Sequence, residues 1–312
     1  MARSKRIKET AAGVAYYHVI SRTNNKVFLF DSAKTKDALV DALKRSAAFS
    51  GVEIEAYAIM SNHIHAIVKV TRPECDASQL GSVPSLAEAI PEAELLRRVE
   101  ILKGQKARQE LEMEWRELRK AGLDASLELE QNRLRVRMND VSEFVKTFKE
   151  TFDRIYKKDH EYCGSIWSGR FTSTLIEDGE YLARCRKYVY YNPIRAGIVS
   201  RAAEYRWVYD RNLSEVGGSA GPVPNGGDAA AGSVPEAWLM RRVAQIGAGK
   251  VFGSAAFVMR MAFGLGHLFP AKRVVARAVG EIGFATHGWR LANRLERSAE
   301  LAKKDNTKAV AA

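Results

Sequence analysis

In the segment NHIHAIVKV, residues 62–70, strand alternation sends His63, His65, Ile67 and Lys69 to one face and Ile64, Ala66, Val68 and Val70 to the other. Two imidazoles then project side by side. One nitrogen from each ring can hold a single divalent ion while the apolar face behind keeps the strand rigid. The same pattern also occurs on plain solvated strand faces. A second pair, Tyr188 and Asn192 in KYVYYNPIRAG, is spaced four residues apart at a helix end and so shares one face. A phenol suits attack on a phosphodiester, because a metal polarises the phosphate and favours the phenolate, and the resulting phosphotyrosine conserves the bond energy for rejoining. Tyrosines in such runs are also common half-buried aromatics, and Asn-Pro is a common helix stop.

Other residues compete for roles. Tyr156 is the rival nucleophile, but the position four residues on is His160 and not an amide, so Tyr188 is preferred. His18 lies in the first strand beside Tyr16 and Arg22 and reads more readily as a core or strand-face histidine than as a catalytic one. Arg170 and Phe171 could clamp a phosphate and stack on a base, with Trp167 in the core. Arg22 and Arg195 are candidate phosphate contacts by charge alone.

The elements that must position these residues follow from periodicity. VAYYHVI predicts a strand, Ser32 caps a helix with Leu39, Leu43 and Ala47 on one face, and Gly51 ends it. EIEAYAIM and NHIHAIVKV predict an antiparallel strand pair. Residues 75–135 change character and read as a helical insertion with opposite charges at helical spacing. Phe144, Phe148, Phe152 and Tyr156 recur every fourth residue and predict a long amphipathic helix with a core stripe, closed by Gly164. GRFTSTLIE predicts a strand, and Asp178 is expected to cap a helix that runs to about Tyr191 and is stopped by Pro193. The core order is β-α-β-β-α-β-α. A Gly/Ala/Pro-rich linker is expected over 216–235 and a basic, mostly helical extension over 236–312, in patterns such as RVVARAVGEIG.

Bulk properties exclude several classes. Apolar residues make up 46% of the 312, with a mean hydropathy of −0.26 and no run long enough to cross a membrane. The N-terminus, MARSKRIKET, lacks the apolar stretch of a secretory signal, and three cysteines without a CxxC pair read as reduced thiols, so a cytoplasmic location is expected. The net charge of +12 favours polyanionic partners, and residues 236–312 hold 13 Lys and Arg against 5 Asp and Glu.

Taken in order, AYYHVISRTNN, AIMSNHIHAIV, GSIWSGRFTS and KYVYYNPIRAGIV resemble the REP-associated tyrosine transposases, a branch of the HUH single-strand transposases. The likeness covers roughly residues 12–73 and 141–210. It implies an α/β ferredoxin-like antiparallel sheet with helices on one face, within a catalytic domain over 12–215. It also implies a divalent cofactor, Mg²⁺ or Mn²⁺, and single-stranded or hairpin DNA as partner, with palindromic repeats as candidate targets. His63 and His65 match the paired metal histidines, Tyr188 the nucleophile and Asn192 the third polar ligand. The activity implied is cleavage and rejoining of DNA through a 5′-phosphotyrosine, by a monomer or homodimer at the bacterial nucleoid, with the basic extension as a candidate accessory DNA-binding segment. Where relatives carry an asparagine or arginine-rich run, this chain has Lys157, Lys158 and Asp159. That departure keeps open an alternative, a domesticated DNA-binding regulator without cleavage. A third option is a hydrolase of small phosphoesters that uses the histidines but not Tyr188.

Overall fold

A computed structural model describes residues 13–72, 90–212, 251–254, 257, 274–279 and 282–287. The chain opens with β1 (Gly13–Arg22), α1 (Ala33–Ser50), β2 (Val52–Ile59) and β3 (His63–Arg72). Ser32 caps α1 by accepting from the Thr35 amide, and Gly51 ends it at φ 65°, a left-handed conformation in which a side chain would be strained. Three helices follow: α2 (Glu92–Lys103), α3 (Gln105–Lys120) and α4 (Asp124–Arg135). They enclose a core of their own around Trp115, Leu95 and Val99 that reaches Phe49 of α1. Next come α5 (Val141–His160), β4 (Thr172–Ile176), α6 (Glu180–Tyr190), the single turn α7 (Asn192–Arg195) and β5 (Val208–Asp210).

The strands lie in the order β5-β2-β3-β1-β4, with every pair antiparallel. The βαββαβ succession with β1 and β3 in the middle is the ferredoxin-like arrangement expected from the sequence. Ala15, Tyr17 and Val19 of β1 and Ile64, Ala66, Val68 and Val70 of β3 face α1 and α5, where the Phe144, Phe148, Phe152 stripe meets Phe30 and Trp167. The expectation of helices on one face holds for this pair. α6 is the exception, because Leu182, Cys185 and Val189 pack on Ala56, Ala58 and Ile67 of the opposite face.

Several boundaries differ from expectation. α5 closes at Glu161 in a left-handed conformation (φ 49°), and not at Gly164. Gly179, not Asp178, is the N-cap of α6; the Asp178 carboxylate accepts only from the adjacent Gly179 amide. Pro193 starts α7 as well as ending α6, since a helix's first turn needs no amide there. In the extension, RVVARAVGEIG supplies strand and not helix: β7 (Val274–Val279) pairs antiparallel with β8 (Ile282–His287). Its valines are β-branched and favour extended backbone, which overrides the helical pattern expected there. β6 (Val251–Ser254) joins this hairpin to the free edge of β4 in parallel, with Val251 and Phe257 entering the main core. The expected linker over 216–235 lies outside the described residues. No described helix is long and apolar enough to cross a membrane.

Phe152 is fully enclosed between Phe30, Tyr156 and Trp167. Phe152→Ala should lower the unfolding free energy by about 3–5 kcal/mol, read as an earlier urea midpoint at unchanged slope.

Candidate active site

The sheet face opposite α1 and α5 carries three histidines under α6. His63 and His65 come from alternate positions of β3, and His18 comes from β1, whose register sets Ile20 across from His65 and Arg22 across from His63. His65 and His18 are buried, and their rings stack at 5.1 Å with His18 Nε2 2.9 Å from His65 Nδ1. His63 lies edge-on to His65 at 5.0 Å between ring centroids. Its Nδ1 donates to Asn62 Oδ1 at 2.6 Å, which leaves Nε2 as the nitrogen with a lone pair to offer. Asn62 also donates through Nδ2 to the carbonyl of Lys26, tying His63 to the loop after β1.

Tyr188 reaches these rings from α6. Its ring stands edge-on to His18 at 6.0 Å and to His65 at 5.7 Å, and the Arg195 guanidinium lies 4.7 Å from its centroid. Two features fix α6 in this place. Its apolar side packs on Ala56, Ala58 and Ile67, and the buried Arg186 pairs with Asp210 of β5 and Glu55 of β2. Asn192 is buried one turn after Tyr188, at the start of α7, with Nδ2 lacking a hydrogen-bond partner.

Burial dominates the electrostatics. It pushes His18 and His63 down to about 4 and His65 well below the ordinary histidine value, and the positive charges of Arg22 and Arg195 add to the effect on His65. All three imidazoles are therefore neutral at pH 7, the form in which they can ligate a cation. Burial also pushes the Cys185 thiol up, so this residue beneath Tyr188 is an inert packing group.

The structure brings His63, His65, Tyr188 and Arg195 together and sets Arg22 at the end of β1 beside His63. It also brings in His18, which the sequence favoured as a core residue, and Asn62, which sequence reasoning passed over although it adjoins His63. Arg170 is exposed in the loop before β4. Two candidates fall away. Phe171 belongs to the core shared with α1 and α5, so it cannot stack on a base. Tyr156 closes the α5 stripe on that same side, with the sheet between it and the histidines, so it is not a rival nucleophile.

Among the described residues, no group of three or more His, Cys, Asp or Glu side chains is placed to hold a metal ion. The candidate donors for a divalent ion are instead mixed: the free nitrogen of His63, a ring nitrogen of His65 where its tautomer leaves one free, and the buried amide of Asn192. A half-turn of that amide exchanges its unpartnered nitrogen for an oxygen.

Residues 12–80 match the family model described as Transposase IS200 like, an interval that spans β1 to β3 and includes His18, His63 and His65 but stops before Tyr188. The chain is thus similar to IS200-like transposases, in agreement with the likeness read from its motifs. A comparison with curated proteins finds no match. Among solved structures, the chain is similar to a REP-associated tyrosine transposase bound to a REP hairpin, at 15% identity and a TM-score of 0.42, over 75% of this chain and 98% of that one. It is also similar to a candidate transposase from Deinococcus radiodurans, at 14% identity and a TM-score of 0.28, over 61% and 95%. At such scores the fold rests on the chain's own sheet topology.

The depressed histidines make stability depend on pH in a stated direction. Between about 6.5 and about 4 the unfolded chain binds protons that folded His18 and His63 refuse, so acid favours unfolding over that window and stability is full above it. Urea unfolding of the metal-free protein at pH 7.5 and pH 5.0 should show the loss, at up to about 1.4 kcal/mol per pH unit for each histidine. His18→Gln should flatten the slope by about one proton.

Proposed function

We propose that this chain is a metal-dependent transposase that cleaves and rejoins single-stranded or hairpin DNA, with Tyr188 as nucleophile. The observation that carries the reading is that the Tyr188 ring stands edge-on to two buried neutral histidines and within 4.7 Å of the Arg195 guanidinium. A small-phosphoester hydrolase would have no use for a phenol in that position. The match of residues 12–80 to IS200-like transposases supports the same class.

The residues divide the work. His63, His65 and Asn192 would hold a divalent ion, Mg²⁺ or Mn²⁺, which when bound supplies Lewis-acid polarisation of the scissile phosphate. Arg195, exposed and lying over the Tyr188 ring, would meet a phosphate oxygen. The Tyr188 oxygen then bonds to phosphorus as the bond to the 3′ oxygen breaks. The strand is left as a 5′-phosphotyrosine with a free 3′-hydroxyl, which reverses or redirects the step. Arg22 and Arg170, both exposed, would add positive charge for a DNA backbone. We assign residues 12–215 to the catalytic domain, interrupted over 75–135.

With Phe171 in the core, base stacking passes to Phe28. This ring is 66% exposed in the loop that Asn62 ties to His63. Asn25 and Lys26 shape the loop with positive φ, and Thr23 holds it by donating to the Val27 carbonyl. Phe28→Ala should weaken binding of unpaired oligonucleotides by about 1–3 kcal/mol in fluorescence anisotropy, and Phe28→Tyr should not.

Labelled hairpin-bearing single strands incubated with the protein and Mn²⁺ should yield a covalent adduct on a denaturing gel. The adduct should vanish in Tyr188→Phe and with chelator, and form about 100-fold more slowly in Arg195→Ala. Adduct persisting in Tyr188→Phe would refute the assignment.

A further inference from the structure

The contact between His18 and His65 holds one proton, and either ring can own it. If His18 Nε2 donates, neutral His65 carries its proton on Nε2 and has no lone pair left for a cation. If His65 Nδ1 donates, its Nε2 is free, and the proton of His18 lies on Nδ1. That atom is buried and has no partner.

We infer that His18 is a positioning residue that accepts the proton of His65 Nδ1 and so holds the His65 Nε2 lone pair ready for a divalent cation. Two features of the site support this direction. The neighbouring ligand is already set the same way, because the Asn62 oxygen can only accept and therefore fixes the proton of His63 on Nδ1. In addition, the charges of Arg22 and Arg195 act on His65, and its inner nitrogen is engaged by a neutral ring. A lone pair on the outer nitrogen suits that positive surrounding better than an N–H dipole does.

The geometry makes His18 specific to this task. It stands diagonally across from His65 on the neighbouring strand, is 1% exposed, and touches the Tyr188 ring only edge-on at 6.0 Å. It therefore reaches the site through His65.

This inference rests on the metal-dependent reading of the site, and the two fail in different experiments. Long-range ¹H–¹⁵N spectra of the full-length, metal-free protein report which ring nitrogens carry protons, with no DNA present. Protons on Nδ1 of both His18 and His65 are expected, and a proton on His65 Nε2 would overturn the inference even if cleavage at Tyr188 were normal. Mn²⁺ binding followed by electron paramagnetic resonance should weaken about 10- to 100-fold in His18→Phe, which removes the acceptor. It should stay within about threefold of wild type in His18→Gln, whose side-chain oxygen can accept the same proton. Wild-type Mn²⁺ affinity in a folded His18→Phe protein would also overturn it, and the spectra of the unaltered protein decide the matter if that variant does not fold.

Discussion

The guanidinium of Arg186 lies inside the protein between the carboxylates of Asp210 and Glu55, and through it α6 is held to the β2 and β5 edge of the sheet. Such a buried pair adds little net stability, because desolvation of the charges offsets most of their attraction, yet loss of one partner strands the others at a cost of about 3–5 kcal/mol. Its effect is to allow one placement of the helix. Two residues on, about 200° round the helix, Tyr188 emerges on the other flank toward β1 and β3, where the histidines are. A shift of α6 along the sheet would separate the phenol from those rings while leaving the apolar packing of Leu182 and Val189 nearly as good. The ion pair thus supplies the register that nondirectional burial cannot.

The sheet supplies the other half of the site. Alternation along β3 puts Ile64, Ala66, Val68 and Val70 under α1 and α5, and the same alternation turns His63 and His65 to the opposite face. The apolar face and the histidine face are one constraint, since a slip of one residue would exchange them. This is why the His-x-His segment and the Phe144, Phe148, Phe152 stripe were legible from the sequence alone. Each rests on a local period that fixes which residues share a face.

What was not legible depended on distant partners. His18 becomes a neighbour of His65 only through the antiparallel register of β1 with β3, which sets His18 one diagonal step away. Seen alone in VAYYHVI it is one polar residue in an apolar strand. Phe171 was misplaced for a related reason, because aromatic type and charge nearby do not say which side of a sheet a residue faces, whereas Tyr156 lies in the core stripe that its period predicted. Arg186, Asp210 and Glu55 come from three separate elements, and no spacing rule links them. In the extension, local period itself misled: RVVARAVGEIG was read as helical, but pairing with β8, which β6 links to the edge of β4, gave the valines a sheet to join.

The cost of this arrangement bears on what the site is for. Three imidazoles are enclosed in a region that keeps them uncharged, and two polar atoms there, His18 Nδ1 and Asn192 Nδ2, have no hydrogen-bond partner. Each unmet group costs about 1–3 kcal/mol relative to water. A fold maintained for packing alone would be more stable with apolar side chains at those positions, as it has at Ile67 and Val189 nearby. On the proposed function the balance changes, because the lone pairs of His63 and His65 and the amide of Asn192 would then find the partners that the protein alone withholds. Positive charge on Arg22 and Arg195 works against a bare cation and for an anion, so on that function each ligand would favour the other's binding. On the proposed function, the same surroundings that weaken the resting protein would select for a metal and a phosphodiester together over either alone.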